Sequence, residues 1–156
     1  MKRFFVLLTA AALLLFSLGG CAQGLQKYNR LTPTDGVVTI DAAQVGRQAV
    51  FFNYDADGVT VQLLALRGED GTLHTAFNTC QNCSPSPKAY YQQEGDVLIC
   101  QNCGFDFSPE EVGVTAGGCN PWPIQSLEQN GDVLTMAVEE LDAMKAAFAR
   151  WGGPVR

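Results

Sequence analysis

The tetrapeptide Cys-Gln-Asn-Cys occurs twice, at residues 80–83 and 100–103, with sixteen residues between the copies. No other feature constrains the fold as strongly, because two turns of the chain must bring both pairs into the same chemistry. Four sulfurs gathered at one point form the set that a tetrahedral metal requires. Otherwise the pairs are a redox site or a set of structural disulfides. A disulfide inside one Cys-x-x-Cys closes too short a loop to stabilise much through chain entropy. A further cysteine, Cys119 in "GGCNPWP", makes the count odd beyond the N-terminal region. Cys80, Cys83, Cys100 and Cys103 are therefore candidate metal ligands. Soft thiolates of this kind accept zinc, copper(I), iron or an iron–sulfur cluster. A purely structural zinc needs four ligands and has no use for a fifth, so Cys119 is the discriminating residue. It is a fifth ligand, a redox partner or a point of ion transfer, or else a small buried side chain of the kind free cysteine often is.

The N-terminus bears on the compartment. "MKRFFVLLTAAALLLFSLGGC" has a basic start at Lys2 and Arg3, an apolar run from Phe4 to Phe16, and small residues directly before Cys21. That is a secretory signal, and its apolar run is short of the about 20 residues a membrane-spanning helix needs. Small residues before a cysteine look like a bacterial lipobox, which makes Cys21 the acylated first residue of a mature chain of 136 residues. The expected plan is a lipoprotein signal peptide over 1–20, a lipidated tether over 21–35 and one folded domain over 36–156. The expected location is the bacterial cell envelope, anchored through Cys21 on the outer side of the cytoplasmic membrane or in the periplasm. Removal of the signal leaves eight basic against sixteen acidic residues, a balance that argues against nucleic acid as a partner. Lys2-Arg3 is not a twin-arginine pattern, so the chain reads as exported unfolded and loaded with metal outside.

Residues 22–35 are polar and aperiodic, with Pro and Gly, which fits a tether. Beyond them "VVTI" (37–40), "QAVFFNY" (48–54), "VTVQLLALR" (59–67) and "TLHTAF" (72–77) read as strands, with turns at Asp57-Gly58 and "GEDG" (68–71). "DVLI" (96–99) leads into the second cysteine pair as "TLHTAF" leads into the first, so both pairs stand at strand ends. Residues 104–124 read as a site-forming loop. "NGDVLTMAV" (130–138) is a turn and a strand. "EELDAMKAAFARWGG" (139–153) is a short helix, with Leu141, Met144, Phe148 and Trp151 on its core face.

Other side chains are weaker candidates. His74 stands on a strand before Cys80 and reads as exposed. Asp106, Glu110 and Glu111 either attract a cation or belong to a solvated loop. Tyr90, Tyr91 and Trp122 cover the site or fill core. One histidine and the absence of G-x-S-x-G leave hydrolytic catalysis without support.

The run Phe77 to Pro123, with "FNTCQNC", "YYQQEGDVLICQNCGFDF" and "GGCNPWP", resembles the membrane iron-sulfur-containing FtrD-like family, found near bacterial iron-uptake genes. The resemblance covers roughly residues 36–150. It implies metal or iron–sulfur binding by Cys80, Cys83, Cys100 and Cys103, with Cys119 as a participant, and iron-uptake or redox membrane proteins as partners. It implies no defined reaction. A second likeness, to Rieske domains, lies in the order of "DGTLHTAFNTC", "CGFDF", "GGCNPWPI" and "NGDVLTMAV". The expected fold is accordingly mainly β, a small Rieske-like β-sandwich with two Cys-x-x-Cys loops and a short C-terminal helix. Cys83 and Cys103 stand where a Rieske cluster uses histidines, so a true Rieske centre is excluded, and an all-thiolate cluster has a lower potential. The expected function is metal or iron–sulfur binding in support of iron uptake or electron transfer at the membrane. The alternatives are an interaction module with a structural zinc and a thiol-disulfide oxidoreductase.

Overall fold

A computed structural model describes residues 28–154. The signal over 1–20, Cys21 and the first part of the expected tether lie outside the described residues. Among the described residues, eleven strands make the fold mainly β: β1 (Tyr28–Arg30), β2 (Val37–Asp41), β3 (Val50–Ala56), β4 (Val59–Arg67), β5 (Leu73–Cys80), β6 (Tyr91–Glu94), β7 (Val97–Cys100), β8 (Asp106–Phe107), β9 (Pro121–Trp122), β10 (Glu128–Asn130) and β11 (Val133–Ala137). They form a five-stranded sheet, β1-β3-β4-β5-β9, and two three-stranded sheets, β10-β11-β2 and β6-β7-β8.

β4 explains how the sheets stack. Its apolar run lacks alternation, and residues 61–66 are buried without a break, as befits a central strand covered on both faces. Val61, Leu63 and Ala65 enter one core with Val38 and Ile40 of β2 and Leu134 and Met136 of β11. Leu64 and Leu66 enter a second core with Tyr91, Leu98, Cys80 and Cys100. The large sheet is thus the middle of three layers. β2 shows the complementary pattern, alternately exposed and buried, because one face of its sheet meets solvent.

Three elements depart from expectation. Part of the stretch expected as tether is strand: β1 pairs in parallel with β3, from Tyr28 opposite Phe51 to Arg30 opposite Asn53. Leu31 is buried and donates its amide to Asn53 O at 2.8 Å. This stretch is held to the fold by backbone bonds and one apolar anchor that leave no sequence periodicity. The C-terminal helix is two short pieces, α1 (Val138–Ala143) and α2 (Lys145–Phe148), joined at Met144. Leu141, Met144 and Phe148 nevertheless reach the first core as expected. The 104–124 loop contains β8, a 3₁₀ turn at Pro109–Glu111 and β9. Among the described residues no helix is long and apolar enough to cross a membrane.

Candidate metal centre

β5 ends in Cys80 and β7 ends in Cys100, and a buried polar bridge sets the two strands in relation. Asn78, fully buried, donates to Gln62 Oε1 at 2.8 Å and accepts from the Tyr91 amide at 2.8 Å. Gln62 in turn donates to Asn53 Oδ1 at 2.7 Å. Buried amides paired in this way specify one arrangement, because any slip strands a polar group in the core. The layer that carries the second cysteine pair is thereby fixed against the strand that carries the first.

Each tetrapeptide then turns in the same manner. The Ser84 amide donates to Cys80 O at 2.9 Å and the Gly104 amide to Cys100 O at 2.9 Å. Gly104 sits at φ +76°, where a side chain is strained although the space around it is open. The two turns interlock: Cys80 N donates to Ala89 O at 2.9 Å and Gln101 N to Tyr90 O at 2.8 Å.

The sulfurs of Cys80, Cys83, Cys103 and Cys119 all lie within 4.8 Å of one another. The Cys100 sulfur lies 4.0 Å from that of Cys83. In a tetrahedral thiolate site with metal–sulfur bonds of about 2.3 Å, neighbouring sulfurs are about 3.8 Å apart, so small side-chain movements suffice to hold an ion. Cys80 and Cys100 are buried, Cys83 and Cys119 are half-buried, and Cys103 is exposed. The structure therefore gathers all five cysteines singled out in the sequence, with Cys119 inside the tightest group.

Cys119 arrives on a separate segment. Gly113, near its start, lies so close to the backbone of Thr75 that a Cβ there would run into the Thr75 carbonyl oxygen. The Gln81 and Asn82 amides donate to Asn120 O and Gly118 O at 3.3 and 3.2 Å. The Tyr91 hydroxyl donates to Cys119 O, and the Cys80 thiol lies 3.5 Å from that same oxygen.

The sulfurs compete for protons. Cys80 is pulled to about 4, first by the hydrogen bond from Cys100, then against its burial by the Tyr91 hydroxyl and the Cys83 amide. Cys100, the donor in that bond, is pushed up by it and by burial. Cys83 is pushed to about 12 by burial and by Cys80. Cys119 is pushed to about 11 by burial, by its bond with Cys103 and by the charge on Cys80. Burial opposes ionisation of Cys103, but the Phe105 amide and the bonds from Cys100 and Cys83 outweigh it and draw it down. Burial and the neighbouring Cys80 hold the Tyr91 phenol protonated. The principal groups around the sulfurs are thus amides, a phenol and other thiols. A cation supplies the missing positive charge and lets all its ligands ionise together, so this soft donor set fits a thiophilic metal or an iron–sulfur cluster.

The weaker candidates separate clearly. Tyr91 lines the site. Tyr90 packs instead against Trp151, ring centroids 6.0 Å apart, and Trp122 packs on the opposite core. His74 is half-buried and stands opposite Leu66 in the β4–β5 ladder. Glu110 accepts from the Glu69 amide at 2.9 Å and Glu111 from the Ser108 amide at 2.7 Å, so both brace loops. Two residues that sequence reasoning passed over, Gln81 and Asn102, lie between the cysteines. Ser86 donates to Asn102 Oδ1 at 2.6 Å, which leaves the Asn102 amide hydrogens for Cys83. Their repetition in both tetrapeptides was the available signal.

The family described as membrane iron-sulfur containing protein, FtrD-like, matches residues 45–148, two thirds of the chain, and the chain belongs to that family. The match spans β3 to α2 and every cysteine of the cluster. No curated protein and no solved structure matches the chain.

Proposed function

We propose that this FtrD-like protein is a lipid-anchored, extracytoplasmic protein that binds a metal ion or an iron–sulfur cluster in support of iron uptake or electron transfer at the membrane. The observation that carries the reading is the convergence of Cys80, Cys83, Cys103 and Cys119 within 4.8 Å, with Cys100 beside Cys83. The family's description as a membrane iron-sulfur protein supports it. Attachment rests on the signal-like N-terminus and the small residues before Cys21. A bound thiolate-held metal supplies either one-electron chemistry or an exchangeable ion.

The chain's own contribution follows from its geometry. Cys80 and Cys100 hold the inner side of the site on strands that are part of the core, while exposed Cys103 marks the side open to a partner. Tyr91 favours the thiolate of Cys80, and the Asn102 amide does the same for Cys83 against the burial that opposes it. Backbone amides around both turns do the same for Cys80 and Cys103.

The test is metal content and visible absorption of protein exported through its own signal and purified without oxygen. Iron with acid-labile sulfide and absorption near roughly 400 nm supports electron transfer. About one colourless zinc per chain that cannot be exchanged without unfolding favours the structural-zinc reading instead. Protein free of metal and cluster, with its pairs reacting rapidly with a disulfide reagent, favours thiol–disulfide exchange.

A further inference from the structure

The second residue of each tetrapeptide is glutamine, and the two side chains behave differently. Gln101 turns back on its own strand and donates to Ile99 O at 3.1 Å. Gln81 reaches across to the segment that carries Cys119. Its Oε1 accepts from the Gly117 amide at 2.6 Å. Its Nε2 faces the carbonyl oxygens of Thr115, Asn120 and Pro121 at 3.4, 3.3 and 3.4 Å. Asn120 Nδ2 donates to Gly117 O at 2.8 Å and closes the segment on itself. Residues 115–118 are exposed, so this stretch gains little from apolar burial and depends on polar bonds: the Gln81 side chain makes several of them, beside the Gln81 and Asn82 amides and the Tyr91 hydroxyl.

Five sulfurs meet at a centre where a tetrahedral ion takes four. Cys80, Cys83 and Cys103 belong to any such set. Cys119 completes the group within 4.8 Å, and Cys100 waits in the core, 4.0 Å from Cys83. We propose that Gln81 is a positioning residue that latches the 113–121 segment so that Cys119 completes the ligand set, and that release of the latch lets Cys100 take the place of Cys119. The inference rests on the metal-binding reading above. The exchange involves no change of oxidation state: Cys100 gives up its proton as its sulfur joins the set, and Cys119 gains one as its sulfur leaves. The same ion is then held by a closed set with Cys119 or an open set with Cys100, the open set leaving Cys119 free to meet a partner.

The experiment loads the full chain with cobalt(II) under reducing, oxygen-free conditions. It reads thiolate-to-cobalt absorption alongside the rate of alkylation at Cys119, located by peptide mass spectrometry. The parent, Gln81→Ala, Gln81→Glu and, as the matched control, Gln101→Ala are compared. Gln81→Glu keeps the acceptor for Gly117 but loses the donors. The expected result is that Cys119 is protected in the loaded parent and in Gln101→Ala, and alkylates about tenfold faster in both Gln81 variants while four-thiolate absorption persists. Equal protection of Cys119 in all four proteins overturns the latch, as does equal loosening by Gln101→Ala. Fast alkylation with about a quarter of the absorption lost overturns the replacement by Cys100. A folded parent that binds no cobalt shows instead that the metal-binding reading itself fails, and the latch falls with it.

Discussion

The two Cys-Gln-Asn-Cys turns share their sequence and their backbone closure but not their surroundings. The first is gripped from several sides. Ser84 Oγ donates to Ala147 O at 3.1 Å, the Gly152 amide to Pro87 O at 2.8 Å, and Trp151 Nε1 to Asn78 O at 3.0 Å. The Cys119 segment docks on its other flank through Gln81 and Asn82. The second is held by the Gln101 amide on Tyr90 and by Asn102 against Ser86, and it leaves Cys103 exposed. A short local motif therefore specifies the turn, while the tertiary setting decides which turn is the fixed wall of the site and which is its open door.

The severest way to break this comparison is to remove what holds the two turns in register. Asn78→Ala leaves the Tyr91 amide and the Gln62 carbonyl without their partner in the core and opens a cavity, for an expected loss of about 3 kcal/mol in denaturant unfolding of the metal-free chain. An unchanged midpoint would mean that the layers are set by other contacts. Next come the cysteines themselves. Cys80→Ser places a hydroxyl in the buried wall and is expected to cost about 1–3 kcal/mol, whereas Cys103→Ser at the exposed position should stay within about 0.5 kcal/mol. Both should weaken metal binding, so thermal melts and metal titrations of the pair separate wall from door. Equal destabilisation would erase the distinction.

A smaller effect is expected from Trp151→Ala. It removes an edge-on ring contact to Tyr90, a tilted one to Phe148 and the bond to Asn78 O, a loss of about 1–2 kcal/mol. Amide exchange should quicken around residues 80–90 more than around 100–105, and uniform quickening would argue against a grip particular to the first turn. The finest prediction concerns protons. Cys80 lies at about 4, but Cys83 and Cys119 lie at about 12 and 11, so both carry protons at neutral pH and must lose them to bind. Metal addition at pH 7 should release at least about two protons per ion, and affinity should fall as pH falls. Calorimetry in buffers of different ionisation enthalpy measures this release, and a count near zero contradicts the assigned ligands.

How much of this was legible beforehand depended on whether a residue's role was local. The apolar runs of β3, β4 and β7 announced themselves, and β4 matched its quoted limits. The edge strands β1 and β10 and the polar hairpin arm β6 did not, because pairing with a neighbour rather than side-chain pattern makes them strands. The cysteines were legible from spacing alone. The partners of Cys119 were not: nothing in the sequence joins Gln81 to Gly117, thirty-six positions away, until the chain has folded. The roles of Glu110 and Glu111 were hidden for the same reason, since each is spent on a loop amide that only the fold presents.

The central claim is that these cysteines form one sulfur-only metal centre. X-ray absorption at the metal edge of the zinc-loaded full chain tests it most directly. The account predicts a first shell of four sulfurs at about 2.3 Å. A first shell containing nitrogen or oxygen at about 2.0 Å, or a chain that retains no metal at all, would contradict it.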